Sequence, residues 1–247
     1  MMASNLESQG SPKEVSLLVC AATPQELAAF WSDDEVAPIS QPTAWGYQGT
    51  VAWVCTGVGI PSIFAALYSL LDSLQPSLLL HIGIAGAYPH AGLQIGDIVL
   101  AESETYGDIG FELPHPPSFR PIREAPFSHF LYSTPLSLAL PDEWVAASWD
   151  MNFHVKRGRG CTVNQCTGTL ETAQLRRSLF QADFESMEGA AVAQIGHQKG
   201  IPVCEIRAIS NIASTRDMRP ENIRLALAHL RHYLQACRMQ KQVDRLS

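Results

Sequence analysis

Apolar residues fall along this chain in two patterns. Val15 to Ala22, Ser77 to Ile82 and Val203 to Ile209 are short, nearly unbroken runs, with the length and continuity of strands buried on both faces. Elsewhere apolar residues recur at three- and four-residue spacing, as on a helix with one buried stripe. Ile63, Ala66, Leu67, Leu70 and Leu71 predict a helix over 62–74, stopped by Pro76. Ile223, Ala226, Leu227, Leu230, Tyr233, Leu234 and Cys237 predict a longer one over 221–240. Thr172 to Leu179 reads as a short helix, and an Ala-rich helix follows Glu188. Residues 45–49 and 51–55 read as a hairpin, 96–101 as a strand leading into 102–108, and 154–163 with Cys166 as a further strand region. Strands alternating with amphipathic helices predict an α/β fold.

The junctions between these segments carry the polar chemistry. Thr23-Pro24-Gln25-Glu26 opens a helix with Thr as N-cap, Pro in the first position and Glu three residues after the cap. Thr56-Gly57-Val58-Gly59 and Gly83-Ile84-Ala85-Gly86 read as two glycine loops leaving strands on one edge of the sheet, where backbone can approach a ligand. Neither has dinucleotide-binding or phosphate-loop spacing. From Phe111 to Pro141, seven of the sixteen prolines cluster with Phe119, Phe127, Phe130, His115 and His129, which predicts a long surface loop and a lid over a site.

Composition narrows the class. The 247 residues, 46% hydrophobic, suit one domain over 15–247 behind a mobile segment 1–14. A net charge of −7, with no basic cluster beyond Lys156-Arg157-Gly158-Arg159, argues against nucleic acid. The six cysteines show no CxxC and no Cys/His ligand spacing, so they read as reduced core residues of a cytoplasmic protein, and no metal site is expected. With no signal-like N-terminus and no apolar run of membrane-spanning length, a soluble protein is expected.

Three side chains stand out, each with an ordinary explanation. Glu26 suits a capping box, Glu188 a helix N-terminus, and Asn211 a turn after a strand. Their coincidence at strand ends on one sheet edge, where α/β folds bind ligands, points instead to a site. No serine-nucleophile elbow exists, and His81, inside an apolar strand, reads as a core histidine.

These residues also carry a family likeness. Glu185-Ser186-Met187-Glu188-Gly189-Ala190-Ala191, the strand end Arg207-Ala208-Ile209-Ser210-Asn211, Gly83-Ile84-Ala85-Gly86 and Ala22-Thr23-Pro24-Gln25-Glu26 resemble the nucleoside phosphorylase/nucleosidase family. With Ser103-Glu104-Thr105-Tyr106-Gly107-Asp108-Ile109-Gly110, they look most like its futalosine-hydrolysing branch. The resemblance implies a single α/β domain with a central mixed, barrel-like sheet flanked by helices, assembled as a homo-oligomer. It implies cleavage of a purine nucleoside at its N-glycosidic bond without a cofactor, through an oxocarbenium-like transition state. By position, Glu188 resembles the family's ribose-binding carboxylate, with Met187 packed on the sugar. Ser186, Gly86, Ile84 and Ser210 complete the substrate contacts. Glu26 resembles the base that activates water, and the capping reading competes for the same side chain.

Asn211 stands where adenine-specific members carry Asp. An amide can accept from a protonated N7 and donate to a 6-oxo group, which suits hypoxanthine better than adenine. With no Arg or Lys between Cys20 and Glu26, and Ile84 in place of a hydroxyl, water suits the nucleophile's role better than phosphate. The tail of futalosine is assigned to Phe119, Phe127, Arg120 and Arg123. Alternatives are a methylthioadenosine/S-adenosylhomocysteine nucleosidase, a purine nucleoside phosphorylase, or a nucleoside-binding protein without catalysis. Retention of both Glu26 and Glu188 speaks against the last.

Overall fold

The computed structural model describes residues 12–31, 44–114, 119–124, 135–145, 152–214 and 217–244, with side chains up to residue 239. In chain order the elements are β1 (Lys13–Val15), β2 (Leu17–Ala21), α1 (Pro24–Ala28), β3 (Trp45–Gln48), β4 (Val51–Cys55), α2 (Ile60–Ser73), β5 (Leu74–Pro76) and β6 (Leu79–Ala87). There follow β7 (Ile98–Tyr106), β8 (Gly110–Glu112), β9 (Phe119–Pro121), β10 (Leu136–Ser137), α3 (Asp142–Val145), β11 (Val155–Thr162), α4 (Leu170–Phe180), β12 (Phe184–Ser186), α5 (Gly189–Lys199), β13 (Val203–Ile212) and α6 (Pro220–Asp244).

Five strands close on themselves. β6 pairs parallel with β13, β13 antiparallel with β7, β7 parallel with β11, β11 parallel with β12, and β12 antiparallel with β6. This is the mixed, barrel-like sheet that the family likeness implies. β2, β4 and β3 extend the sheet outward from β6. The expected hairpin is β3–β4, turned at Gly49 with φ of 59°. All five residues of β2 are buried, as its unbroken apolar run predicts.

Two apolar layers cover the sheet. On one, Ile63, Leu67, Leu70 and Leu71 of α2 meet Ala191, Val192 and Ile195 of α5 over Leu18, Cys20, Ala52 and Val54. On the other, Leu27 of α1 and Ala226, Leu230, Tyr233 and Leu234 of α6 pack on Val19, Ala21, Leu80 and Ile82. Both stripes are those marked by helical spacing in the sequence.

Four expectations change. Gly83 to Gly86 is not a loop: β6 continues through it to Ala87, with Gly83 opposite Arg207 and Gly86 opposite Asn211 on β13. Neither glycine has a positive φ, so what they supply is room for side chains of neighbouring strands. The α2 helix ends at Ser73, before Pro76, because Leu74–Pro76 pairs as a strand with β1. Lys13 and Glu14, assigned to a mobile segment, take part in that pairing, while residues 1–11 lie outside the described residues. The Pro-rich segment is not wholly loop: β8 and β9 form a small ribbon, and β10 pairs with β7. His115, Phe127, His129 and Phe130 lie outside the described residues.

Helix α5 lies close on β13 because it presents Gly196 there: a Cβ at that position would sit 2.9 Å from the Ile201 carbonyl oxygen and collide with the Val203 side chain. Gly196→Ala is expected to destabilise the protein by about 1–3 kcal/mol, outweighing the roughly 1 kcal/mol gained in helix propensity. Equilibrium denaturation in guanidinium checks this, and an unchanged or raised midpoint would contradict the packing.

Candidate active site

A pocket of about 490 Å³ opens at the end of the barrel, beside the strand ends of β6, β12 and β13. The eight residues assigned from sequence to catalysis and to contacts with the sugar and base all line it: Glu26, Ile84, Gly86, Ser186, Met187, Glu188, Ser210 and Asn211. Glu26 comes from α1, Ile84 and Gly86 from β6, Ser186 from the end of β12, Glu188 from the start of α5, and Ser210 with Asn211 from β13.

The competition for Glu26 is resolved by dividing its carboxylate. Oε2 closes the capping box, accepting from Thr23 N at 3.0 Å and Thr23 Oγ1 at 2.7 Å. Oε1 accepts from Ile84 N at 2.9 Å. The cap holds the side chain still, and a lone pair of Oε1 remains for a proton.

Glu188 stands at the N-cap of α5 without capping it; Ser186 Oγ instead accepts from Gly189 N at 3.2 Å. The Glu188 carboxylate reaches across to Gly59, whose N–H donates to Oε1 at 2.8 Å. The glycine loop Gly57–Gly59 thus positions a carboxylate by backbone, and its φ values of 82° and 89° account for glycine at both places. Burial pushes the Glu188 carboxyl above its ordinary range, against the opposing pull of Arg207 and the Gly59 N–H.

Asn211 is placed by a bulge. The pairing of β13 with β6 shifts register between Ile209 and Asn211, which turns the amide toward the pocket. Its Oδ1 accepts from Ser210 Oγ at 3.0 Å, and its Nδ2 lies 3.0 Å from where a Cβ on Gly86 would stand. Any larger residue at Gly86 would displace the amide.

Sequence reasoning missed Arg207. It is fully buried, donates through Nε to Glu205 Oε1 at 2.7 Å, and places Nη2 3.0 Å from a ring nitrogen of His81. Gly83 makes space for it: a Cβ there would collide with Arg207 Nη1 and lie 2.7 Å from Glu26 Oε1. Burial and the adjacent guanidinium hold His81 well below its ordinary pKa, so it is a neutral core histidine, as expected. The signal was present: in Glu205-x-Arg207, period two puts both charges on one face of an otherwise apolar strand.

Gln25, Val58, Cys166, Glu185, Met218, Ile223 and Leu227 also line the pocket and were not assigned. Phe119, Arg120 and Arg123, expected to hold a substrate tail, are not among its described lining. Phe119 packs against Phe180 of α4, 6.3 Å between ring centroids, and Arg123 donates to Leu179 O at 2.8 Å. Among the described lining there are three carboxylates, Glu26, Glu185 and Glu188, and no Lys or Arg. No group of His, Cys, Asp and Glu able to hold a metal occurs among the described residues, and no described helix is long and apolar enough to cross a membrane.

The closed mixed barrel is a fold shared with known enzymes. The family model of the phosphorylase superfamily matches residues 16–242, and the chain belongs to that superfamily. It is 31% identical over 191 residues to a futalosine hydrolase of Thermus thermophilus, covering 76% of this chain and 81% of that one. Two solved Helicobacter pylori structures share the fold. A 5'-methylthioadenosine/S-adenosylhomocysteine nucleosidase with butyl-thio-DADMe-Immucillin-A superposes with a TM-score of 0.72 at 17% identity, covering 93% of this chain and 99% of that one. A futalosine hydrolase gives 0.70 at 17%, covering 92% and 98%. Backbone likeness alone does not separate these two activities.

Glu188→Gln keeps an acceptor for Gly59 N–H and is expected to fold with an unchanged melting temperature while losing about 10²–10³ in turnover of a purine nucleoside. Because burial raises the Glu188 carboxyl and the ionised form is the useful one, kcat/KM of the wild type should fall as pH drops through a value above the ordinary carboxylate range. Wild-type turnover in Glu188→Gln would remove the residue from the site.

Proposed function

We propose that this protein is an N-glycosyl hydrolase that cleaves futalosine to hypoxanthine and dehypoxanthine futalosine, a step of the futalosine route to menaquinone. The observation that carries this reading is Asn211, an uncharged amide backed by Ser210 on a pocket wall otherwise rich in carboxylates.

In the transition state the C1'–N9 bond breaks ahead of attack, so positive charge grows on the ribose and electrons move onto the purine. Glu188 accepts from the ribose hydroxyls in charge-assisted bonds and stands near the growing positive charge, with Met187 against the sugar. Glu26 Oε1 takes the proton of the attacking water while Oε2 stays bound to Thr23. Asn211 Oδ1 accepts from protonated N7 and Nδ2 donates to O6. Since an amide delivers no proton at neutral pH, that proton comes from solvent. Adenine would present its amino donor to Nδ2, a buried mismatch costing about 1–3 kcal/mol.

Water is favoured over phosphate because a dianion would meet three carboxylates and no described basic side chain in the pocket. The same reading carries a cytoplasmic enzyme acting as a homo-oligomer.

Incubation with futalosine, inosine and methylthioadenosine, with and without phosphate, should release hypoxanthine from futalosine at a rate independent of phosphate. Release of adenine from methylthioadenosine as the dominant reaction, or strict dependence on phosphate, would replace the assignment. Asn211→Asp, which supplies an acid for N7, should raise adenine release relative to hypoxanthine release by about 10- to 100-fold.

A further inference from the structure

The barrel interior holds charges that touch no substrate in the proposed reaction. Glu104 on β7, with Glu205 and Arg207 on β13, are fully buried beneath the first turn of α5. Glu104 Oε2 accepts from Thr162 Oγ1 at 2.8 Å, and that hydroxyl accepts in turn from Ala190 N at 2.7 Å. Glu205 Oε1 accepts from Arg207 Nε at 2.7 Å. Glu104 Oε1 and Glu205 Oε2 have no hydrogen-bond partner. The two carboxylates are neighbours: a Cβ on Gly189 would collide with Glu104 Oε1 and lie 2.8 Å from Glu205 Oε1.

Two ionised carboxylates against one guanidinium would leave an uncompensated negative charge in an interior sealed from solvent, which burial strongly disfavours. His81 offers no relief, since both its ring nitrogens lie 3.0 Å from the cationic Arg207 Nη2 and burial with that charge keeps the ring neutral. One carboxyl must therefore carry a proton. Thr162 selects which oxygen: its only hydrogen goes to Glu104 Oε2, leaving Oε1, the oxygen beside the Glu205 carboxylate, to hold the proton. We propose that Glu104 is a neutral acid that donates its proton to Glu205, and that this carboxyl pair acts as a positioning device, keeping Arg207 fixed with Nη1 turned toward Glu26.

Burial and the Glu205 charge, in that order, hold the Glu104 carboxyl well above its ordinary range, in the same direction. The groups facing the pair are Arg207 and Cys204 on β13, His81 on β6, Tyr106 on β7, Thr162 and Cys161 on β11, Cys20 on β2 and Glu188 at the head of α5. Arg207 is the only cation among them. A folded-state pKa above the unfolded value means proton uptake on folding. The stabilisation is complete below the ordinary carboxylate range and is lost as pH rises toward the raised value.

The positioning role rests on the proposed hydrolysis, whereas the shared proton does not, so the test has two arms. By infrared spectroscopy of the intact protein near neutral pH, a buried carboxylic-acid carbonyl band should be present in the wild type and absent in Glu104→Gln. Melting temperature should fall with rising pH more steeply in the wild type than in Glu104→Gln. In the second arm, Glu104→Gln, whose amide still donates to Glu205, should keep kcat close to wild type. Glu104→Leu, which leaves Glu205 unanswered, should lose on the order of 10- to 100-fold in kcat with little change in KM. A wild type without the band, or equal loss in the Gln and Leu variants, overturns the proposal. A wild type that shows the band but cleaves no purine nucleoside upholds the shared proton and sinks the functional reading together with the positioning role.

Discussion

A guanidinium sealed inside a barrel is the constraint from which much of this structure follows. Arg207 cannot lose its charge, so the chain must bring counter-charge to it and exclude anything that would crowd it. Glu205 does the first from two residues away on the same strand face. Gly83 does the second, and Gly160 and Gly189 do the same for the carboxyls around it, since a Cβ at Gly83 would strike Arg207, one at Gly160 Glu104, and one at Gly189 both Glu104 and Glu205. Three glycines on three elements are thus explained by side chains they make room for, whereas Gly49, Gly57 and Gly59 are explained by backbone conformation.

The pocket inherits its asymmetry from this arrangement. One wall carries Glu26 and Glu188, each fixed by backbone N–H groups of distant elements, Ile84 and Gly59. Both sit near a buried cation, Arg207, that is not among the cavity's described lining. The lining also carries Ser210 and Asn211, neutral and hydrogen-bonded to each other. A ligand with a cationic centre and a polar, uncharged edge fits such a division, as a nucleoside losing its base would.

Local chemistry was legible because its causes are local. The capping box of Thr23 and Glu26, the buried run of β2 and the stripes of α2 and α6 depend on residues within a few positions of each other, and each forms as its spacing requires. The motif around Glu188 and the strand end at Asn211 could be read for their identity, and both line one pocket. Gly83 to Gly86 misled because glycine after an apolar run has two meanings, a turn or a gap for a neighbour, and only the neighbour distinguishes them. The tail-binding assignment of Phe119, Arg120 and Arg123 rested on composition, which carries no direction, and those side chains lie away from the pocket's described lining.

The sequence by itself therefore determined the class of fold, the family and eight of the residues that line the pocket, since periodicity and short motifs are properties of contiguous residues. Only the tertiary structure decided what those side chains do for one another. That Glu26 serves a helix cap with one oxygen and the pocket with the other, that Glu188 leans on a loop 129 residues away, and that Glu104 shares a dry interior with Glu205 and Arg207 all arise from barrel closure. Closure brings together residues far apart in the chain and removes the water that would otherwise have made their charges indifferent to each other.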